Sequence, residues 1–296
     1  MTRLKIILIT IISLLAFAAN SLITRFALEK TNIDEASFIM LRVVSGALFL
    51  WLFVTIRNHK TPLQSGSWLA ATALFIYAVS FTYGYGLIAA GTGALLLFGS
   101  VQITMTLVGY REGERLNRIQ LVGFVLALVG LVILMLPGIR APSLHGALLM
   151  CISGIAWGIY TLQGRGASDP AAATAGNFIK AAPMAILLWF IVNLTTTNAL
   201  NLDSINLVGA GALCALLSGI VTSAIGYIIW YSVLPELKAT QAAIVQLSVP
   251  ILVTLAGAML LNEAITLRVI LASFAILSGT ILVLTCKKNK YSLIKK

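Results

Sequence analysis

Long apolar runs alternate with short polar breaks along this chain. Ten runs can be read: Leu4–Leu28, Ala36–Ile56, Trp68–Ala90, Gly93–Tyr110, Ile119–Leu136, Gly146–Leu162, Ala171–Leu194, Leu207–Val233, Ala239–Leu261 and Leu267–Cys286. They are continuously apolar rather than alternating, which predicts helices and excludes a membrane β-barrel. About 20 such residues cross a hydrocarbon layer of about 30 Å. The pattern predicts an all-α polytopic membrane protein with ten transmembrane helices. Two prolines, Pro137 and Pro142, bracket the break after the fifth run, and Thr195–Asn206 is the longest loop. The first run continues through Leu22 and Ile23 and has a counterpart later in the chain, so it reads as a span, not a cleaved leader.

Composition agrees. Of 296 residues, 59% are hydrophobic and only 10% charged, where soluble domains carry about 25% charge. Soluble enzymes, disordered tails and disulfide scaffolds are excluded. The net charge of +11 follows from the positive-inside rule and needs no nucleic acid. With the N-terminus inside, 14 Lys and Arg fall in inner connections and the tail, and 3 in outer ones (Lys30, Arg140, Arg268). That bias places both termini in the cytoplasm and the protein in the inner (plasma) membrane as a multi-pass chain. Cys151, Cys214 and Cys286 all lie in apolar runs and imply no disulfide framework. The two histidines form no zinc spacing, so no metal and no cofactor is expected.

The two halves repeat. Gly113-Glu114 matches Asn262-Glu263, and Gly130 matches Gly279, at an offset of 149; Arg42 matches Lys180 and Trp51 matches Trp189 at 138. Phe17, Arg25 and Glu29 match Trp157, Arg165 and Asp169 at 140. Each copy holds five runs, an odd number, so the second enters the membrane from the opposite side. The expected organisation is a first repeat at 1–137, a linker at 138–145, a second repeat at 146–286 and a basic tail at 287–296. Inverted repeats of this kind are the mechanical basis of alternating access.

Ten helices, a five-plus-five duplication and the Gly/Asn-Glu pair closing runs 4 and 9 resemble the EamA-type carriers of the drug/metabolite transporter superfamily. The resemblance covers nearly the whole chain, including Trp157, Pro250 and Glu263. The first half departs from it, with Gln102 where run 9 has Pro250 and Phe17 where a Trp is usual. The resemblance implies transport of small metabolites, often efflux, and names no substrate.

The acids are informative by position. All nine lie at run ends or in loops, which disfavours cationic substrates and coupling through a central carboxylate. Ionisable groups inside a bilayer are functional candidates by default. Here they are basic: Arg42 and Lys180 read as anion-attracting substrate groups, one per repeat. The aromatic candidates are Tyr77, Phe81 and Tyr85 on one face of run 3, Trp157 and Tyr160 in run 6, and Tyr227 and Trp230 in run 8. Tyr231 and Trp189 read as interfacial belt residues. The amides Asn20, Gln102 and Gln246 complete the substrate set, while Pro250, Gly84 and Gly86 are gate or hinge candidates. Glu114 and Glu263 read as structural, bonding the N-terminus of a following helix. No catalytic residue is expected.

The leading function is a secondary transporter of amino acids or related carboxylated solutes, exporting them by alternating access around a cavity between the repeats. A carrier of phosphorylated or nucleotide-linked solutes is the alternative, ahead of a channel or a lipid-acting membrane protein. The expected partners are the small-molecule substrate and the lipid bilayer, with a homodimer left open.

Overall fold

The computed structural model describes residues 2–58, 61–113, 118–135, 142–197, 208–237 and 239–285. Every regular element among them is helical: α1 (Arg3–Lys30), α2 (Glu35–Asn58), α3 (Trp68–Leu87), α4 (Ala90–Arg111), α5 (Arg118–Met135), α6 (Leu144–Gly164) and α7 (Pro170–Thr197). Next comes one rod in three parts: α8 (Ala210–Leu217), a π-helical stretch Ser218–Ile225, and α9 (Gly226–Val233). Then follow α10 (Ala239–Val245), α11 (Ser248–Leu260) and α12 (Leu267–Thr285). Seven of these rods are long and apolar enough to cross a membrane, α8 to α9 counting as one. Half of the expected linker, 138–141, falls outside the described residues, and so do the basic tail and Glu114.

Helices win because a backbone in hydrocarbon must satisfy its own polar groups. The small polar residues inside them hide their hydroxyls the same way. Thr10, Ser13, Ser80 and Thr82 each donate to the carbonyl four residues back, at 2.6–3.0 Å. Starts are set by acceptors that satisfy the first free N–H groups. Asp34 accepts from Ser37 N at 2.8 Å, and Asp169 from Ala171 N and Ala172 N at 3.1 Å. Ser67 and Ser143 cap α3 and α6.

Three boundaries differ from the sequence reading. The α3–α4 break lies at Ile88–Ala89, so Ala90 opens α4 instead of closing α3. Helix α7 extends to Thr197 because Thr195 folds its hydroxyl back onto Ile191 and Val192 carbonyls. The ninth apolar run is two helices, α10 and α11, broken at Gln246–Leu247. Pro250 sits inside the first turn of α11 and lacks the N–H that would have met the Gln246 carbonyl four residues back. That carbonyl accepts Val249 N instead, at 3.1 Å.

The helices pack as pairs across the two halves of the chain: α2 on α7, α5 on α12, α4 on α11 and α10, α3 on α6, and α1 on the π stretch, α9 and α11. Gly154 lets α6 press onto α4, where an added Cβ would stand 2.7 Å from Ser100 Cβ. The outward faces are apolar, with Leu8, Leu52, Leu121 and Phe274 exposed. The buried centre holds the large polar and aromatic side chains.

Candidate functional site

Arg42 lies seven residues into α2 and is 1% exposed. Its Nε donates to Ser223 Oγ at 3.1 Å, and its Nη2 donates to the Tyr227 and Tyr77 hydroxyls at 3.0 and 3.3 Å. The guanidinium also lies 5.3 and 5.1 Å from the ring centres of Tyr77 and Phe81. No carboxylate among the described residues pairs with it, and its Nη1 has no hydrogen-bond partner. A buried charge without a counter-ion is costly, several kcal/mol even after relaxation. Neutral hydroxyls and ring faces offset part of that cost and leave one nitrogen, Nη1, without a partner.

The π stretch builds the other wall. One extra residue per turn re-aims the side chains, and π segments recur at functional sites. Ser218 and Thr222 both donate to Asn20 Oδ1, at 2.7 and 3.0 Å, while Asn20 Nδ2 donates to the Tyr77 hydroxyl at 3.2 Å. Gly219 makes this possible, because a Cβ there would run into the Arg42 carbonyl. Sequence reading missed Ser218, Thr222 and Ser223. The signal was there as hydroxyls four residues apart beside a glycine in an apolar run.

An aromatic column runs through this centre. Trp157 stands 4.8–5.5 Å from the rings of Tyr227, Tyr77, Phe17 and Tyr160. Phe17 meets Trp230 edge-on at 5.6 Å, and Phe81 joins Tyr77 to Tyr85. The Trp230 indole N–H and the Tyr160 hydroxyl are buried without partners. The void among Phe17, Ser21, Tyr77, Phe81, Leu97, Phe98 and Trp157 is only about 10 Å³, room for one water at most. Tyr231 is no belt residue: it is 1% exposed, and its hydroxyl donates to the Tyr160 carbonyl at 2.8 Å. Trp189 bonds Ser37 at 3.1 Å.

The remaining expected residues divide. Gln246, at the α10–α11 break, accepts from Trp157 Nε1 at 2.6 Å and so ties the break to the column. Gln102 is buried, bonds Thr106, and leaves its Oε1 unpartnered. Gly84 and Gly86 lie in the unbroken last turns of α3, against Met150 and Glu35. Lys180 does not reach the centre. Its ammonium donates to the Ser65 and Leu63 carbonyls, in the connection before α3.

Charges close the bundle at one end. Arg25 donates to Glu263 at 3.2 Å and to the Tyr85 carbonyl at 2.8 Å, and pairs with Glu29 at 3.2 Å. Both Glu263 oxygens accept from Ala90 N at 2.9 Å, so the carboxylate sits on the N-terminus of α4. The expected helix-terminus role of Glu263 thus takes this form, on α4 rather than on the helix that follows it. At the other end Arg57 pairs with Asp169, and Arg165 with Glu112 at 3.3 Å. There a polar cavity of about 370 Å³ opens between α3, α6 and α7, lined by Ser67, Gln163, Asp169 and Asn177, with Tyr231 at its floor.

The EamA-like transporter family model matches the sequence twice, at residues 4–136 and 144–285. The uncharacterized protein PA1977 of Pseudomonas aeruginosa is 50% identical over 280 residues, 95% of this chain and 94% of its own. The uncharacterized transporter YoaV of Bacillus subtilis is 23% identical over 260 residues, 84% of this chain and 86% of its own. A solved crystal structure, 16% identical, superimposes on 96% of this chain and 98% of its own with a TM-score of 0.66, which shows a shared fold.

Proposed function

The chain belongs to the EamA-like transporter family, membrane proteins that move small solutes, and on that premise we propose that it is a secondary carrier of carboxylated metabolites. Amino acids and simple organic acids both fall in that class, and export is the expected direction. The observation that carries this reading is Arg42, buried at the bundle centre with an open nitrogen and no counter-ion among the described residues. A carboxylate supplies the missing charge and accepts from the unpartnered Nη1. Trp230 N–H and Tyr160 OH are further unpartnered groups in the same aromatic column. Phosphorylated solutes fit less well. They want several converging cations, and Lys180, the second candidate, is engaged at the Ser65 carbonyl.

Alternating access follows if the ten runs form two inverted five-helix repeats, with 138–145 as linker, in the inner membrane and with both termini cytoplasmic. Several findings support that organisation. The family model matches twice. Gly113 and Asn262, 149 apart, both adopt left-handed backbone, at φ +91° and +56°. Asp34 and Asp169 cap equivalent helices, and α2–α7, α4–α11 and α5–α12 each pair a helix with its counterpart.

The test is counterflow in proteoliposomes. Labelled carboxylated metabolites should accumulate against an unlabelled internal pool. Arg42→Ala should lower the rate at least a hundredfold while the protein still purifies folded, the loss expected when a buried charge contact of about 3 kcal/mol is removed. Counterflow unchanged in Arg42→Ala would remove Arg42 from the site.

A further inference from the structure

Within the carboxylate reading, on which this step rests, we infer that the site selects net monoanions, carboxylates without an α-ammonium, over zwitterionic amino acids. The argument is one of charge count at the bundle centre. Arg42 brings one positive charge, permanent in any accessible pH range. A simple carboxylate brings that charge to zero. A zwitterion leaves it at plus one, with a second cation beside the first.

That second cation finds no counter-ion among the described residues. The described acids are all held at the two ends of the bundle. Glu29 and Glu263 are bound by Arg25, Asp169 by Arg57 and Glu112 by Arg165. Asp34 caps α2, Glu35 packs at the C-terminal end of α3, and Glu236 lies in the exposed turn after α9. The open Gln102 Oε1 can accept a hydrogen bond from an ammonium but does not neutralise it. Ring faces attract cations, yet Arg42 already lies over Tyr77 and Phe81. In an α-amino acid whose carboxylate meets the guanidinium, the ammonium stands roughly 5 Å from it. At an effective dielectric near 20, that repulsion corresponds to on the order of a hundredfold in affinity.

The geometry also favours a single carboxylate. Nε and Nη2 are spent on Ser223, Tyr77 and Tyr227, so Nη1 is the edge that remains. The guanidinium lies over the Tyr77 and Phe81 rings, with Trp157 4.9 Å from Tyr77, so its surroundings are aromatic and match an apolar or aromatic body.

Matched pairs test this. The purified full-length protein is titrated with 3-phenylpropionate against phenylalanine, and with 4-methylpentanoate against leucine. Each pair differs by the α-ammonium. Phenethylamine is the cation control, and thermal unfolding is the readout. The expected result is a Kd at least tenfold lower for each simple acid, lost in Arg42→Gln. Arg42→Lys, which keeps the charge, should bind more weakly but keep the preference, so a folding defect in Arg42→Gln cannot decide the outcome. Equal or tighter binding of the amino acids, still dependent on Arg42, overturns this inference and leaves the carboxylate reading standing. Binding of phenethylamine in preference to the acids, or no binding of either acid at millimolar concentration, overturns both.

Discussion

The two ends of the bundle carry similar charges and use them differently. At one end Arg25, Glu29 and Glu263 join α1 to α4 and to the segment after α11, with Arg25 and Glu263 only 18% and 13% exposed. At the other, Arg165 pairs with Glu112 at 3.3 Å, 28% and 52% exposed, and Arg57 with Asp169, 43% and 35% exposed, beside a cavity of about 370 Å³. Arg25 and Arg165 match at an offset of 140 in the sequence, so composition does not explain the contrast. Burial and geometry do. A carboxylate seated on a helix N-terminus and an arginine together is worth more than a solvated pair. The molecule is latched at the Arg25 end, and at the Arg57 end it is open as far as Tyr231.

The contrast breaks most sharply at Glu263. Glu263→Ala strips the acceptor from Ala90 N and the main partner from Arg25. Leaving a partly buried charge and an N–H unpaired should cost about 3 kcal/mol, read as a fall in unfolding temperature in detergent. A cysteine placed at Ser21, with the native cysteines replaced, should then label faster from the Arg25 side. An unchanged unfolding temperature would mean that the latch is a solvated pair like its counterpart.

The floor of the open cavity is the next test. Tyr231→Phe removes one buried bond, to the Tyr160 carbonyl, and should cost about 1 kcal/mol. Because Tyr231 separates the cavity from the aromatic column, loosening it should raise labelling of a cysteine at Tyr160 by a reagent applied from the Arg57 side. If labelling stays the same while stability falls, Tyr231 is packing and not a gate.

The helical segments were legible because hydrocarbon leaves the backbone one answer, and ten apolar runs state it. The breaks were harder to read. Pro250 stands in the broken run, but the fracture fell at Gln246, whose carbonyl has no proline N–H to meet and accepts Val249 N instead. Arg42 stood out as an arginine inside an apolar run. Its companion Ser223 did not, because a hydroxyl in such a run ordinarily bonds its own helix; only the π stretch turns Ser223 toward Arg42. Lys180 looked equivalent to Arg42 by repeat position. The connection before α3 brings the Ser65 carbonyl within its reach, and no periodicity encodes that loop. Tyr231 passed for a belt residue because position along a helix does not reveal which face its neighbours cover.

The smallest effect is the most discriminating for the comparison of the ends. Arg165→Ala breaks a half-solvated pair and should cost about 0.5 kcal/mol or less, a change of little more than a degree or so in unfolding temperature for a chain of this size. Lys180→Ala, which loses bonds to two backbone carbonyls, should lie between this and Tyr231→Phe, and should slow counterflow only a few fold because its ammonium faces the connection and not Arg42. The ratio matters more than either value. If Arg165→Ala destabilises as strongly as Glu263→Ala, the two ends are equally latched in solution and the open cavity belongs to a minor state. If it does not, one end is held by a partly buried carboxylate and the other is held only by solvated pairs beside an open cavity.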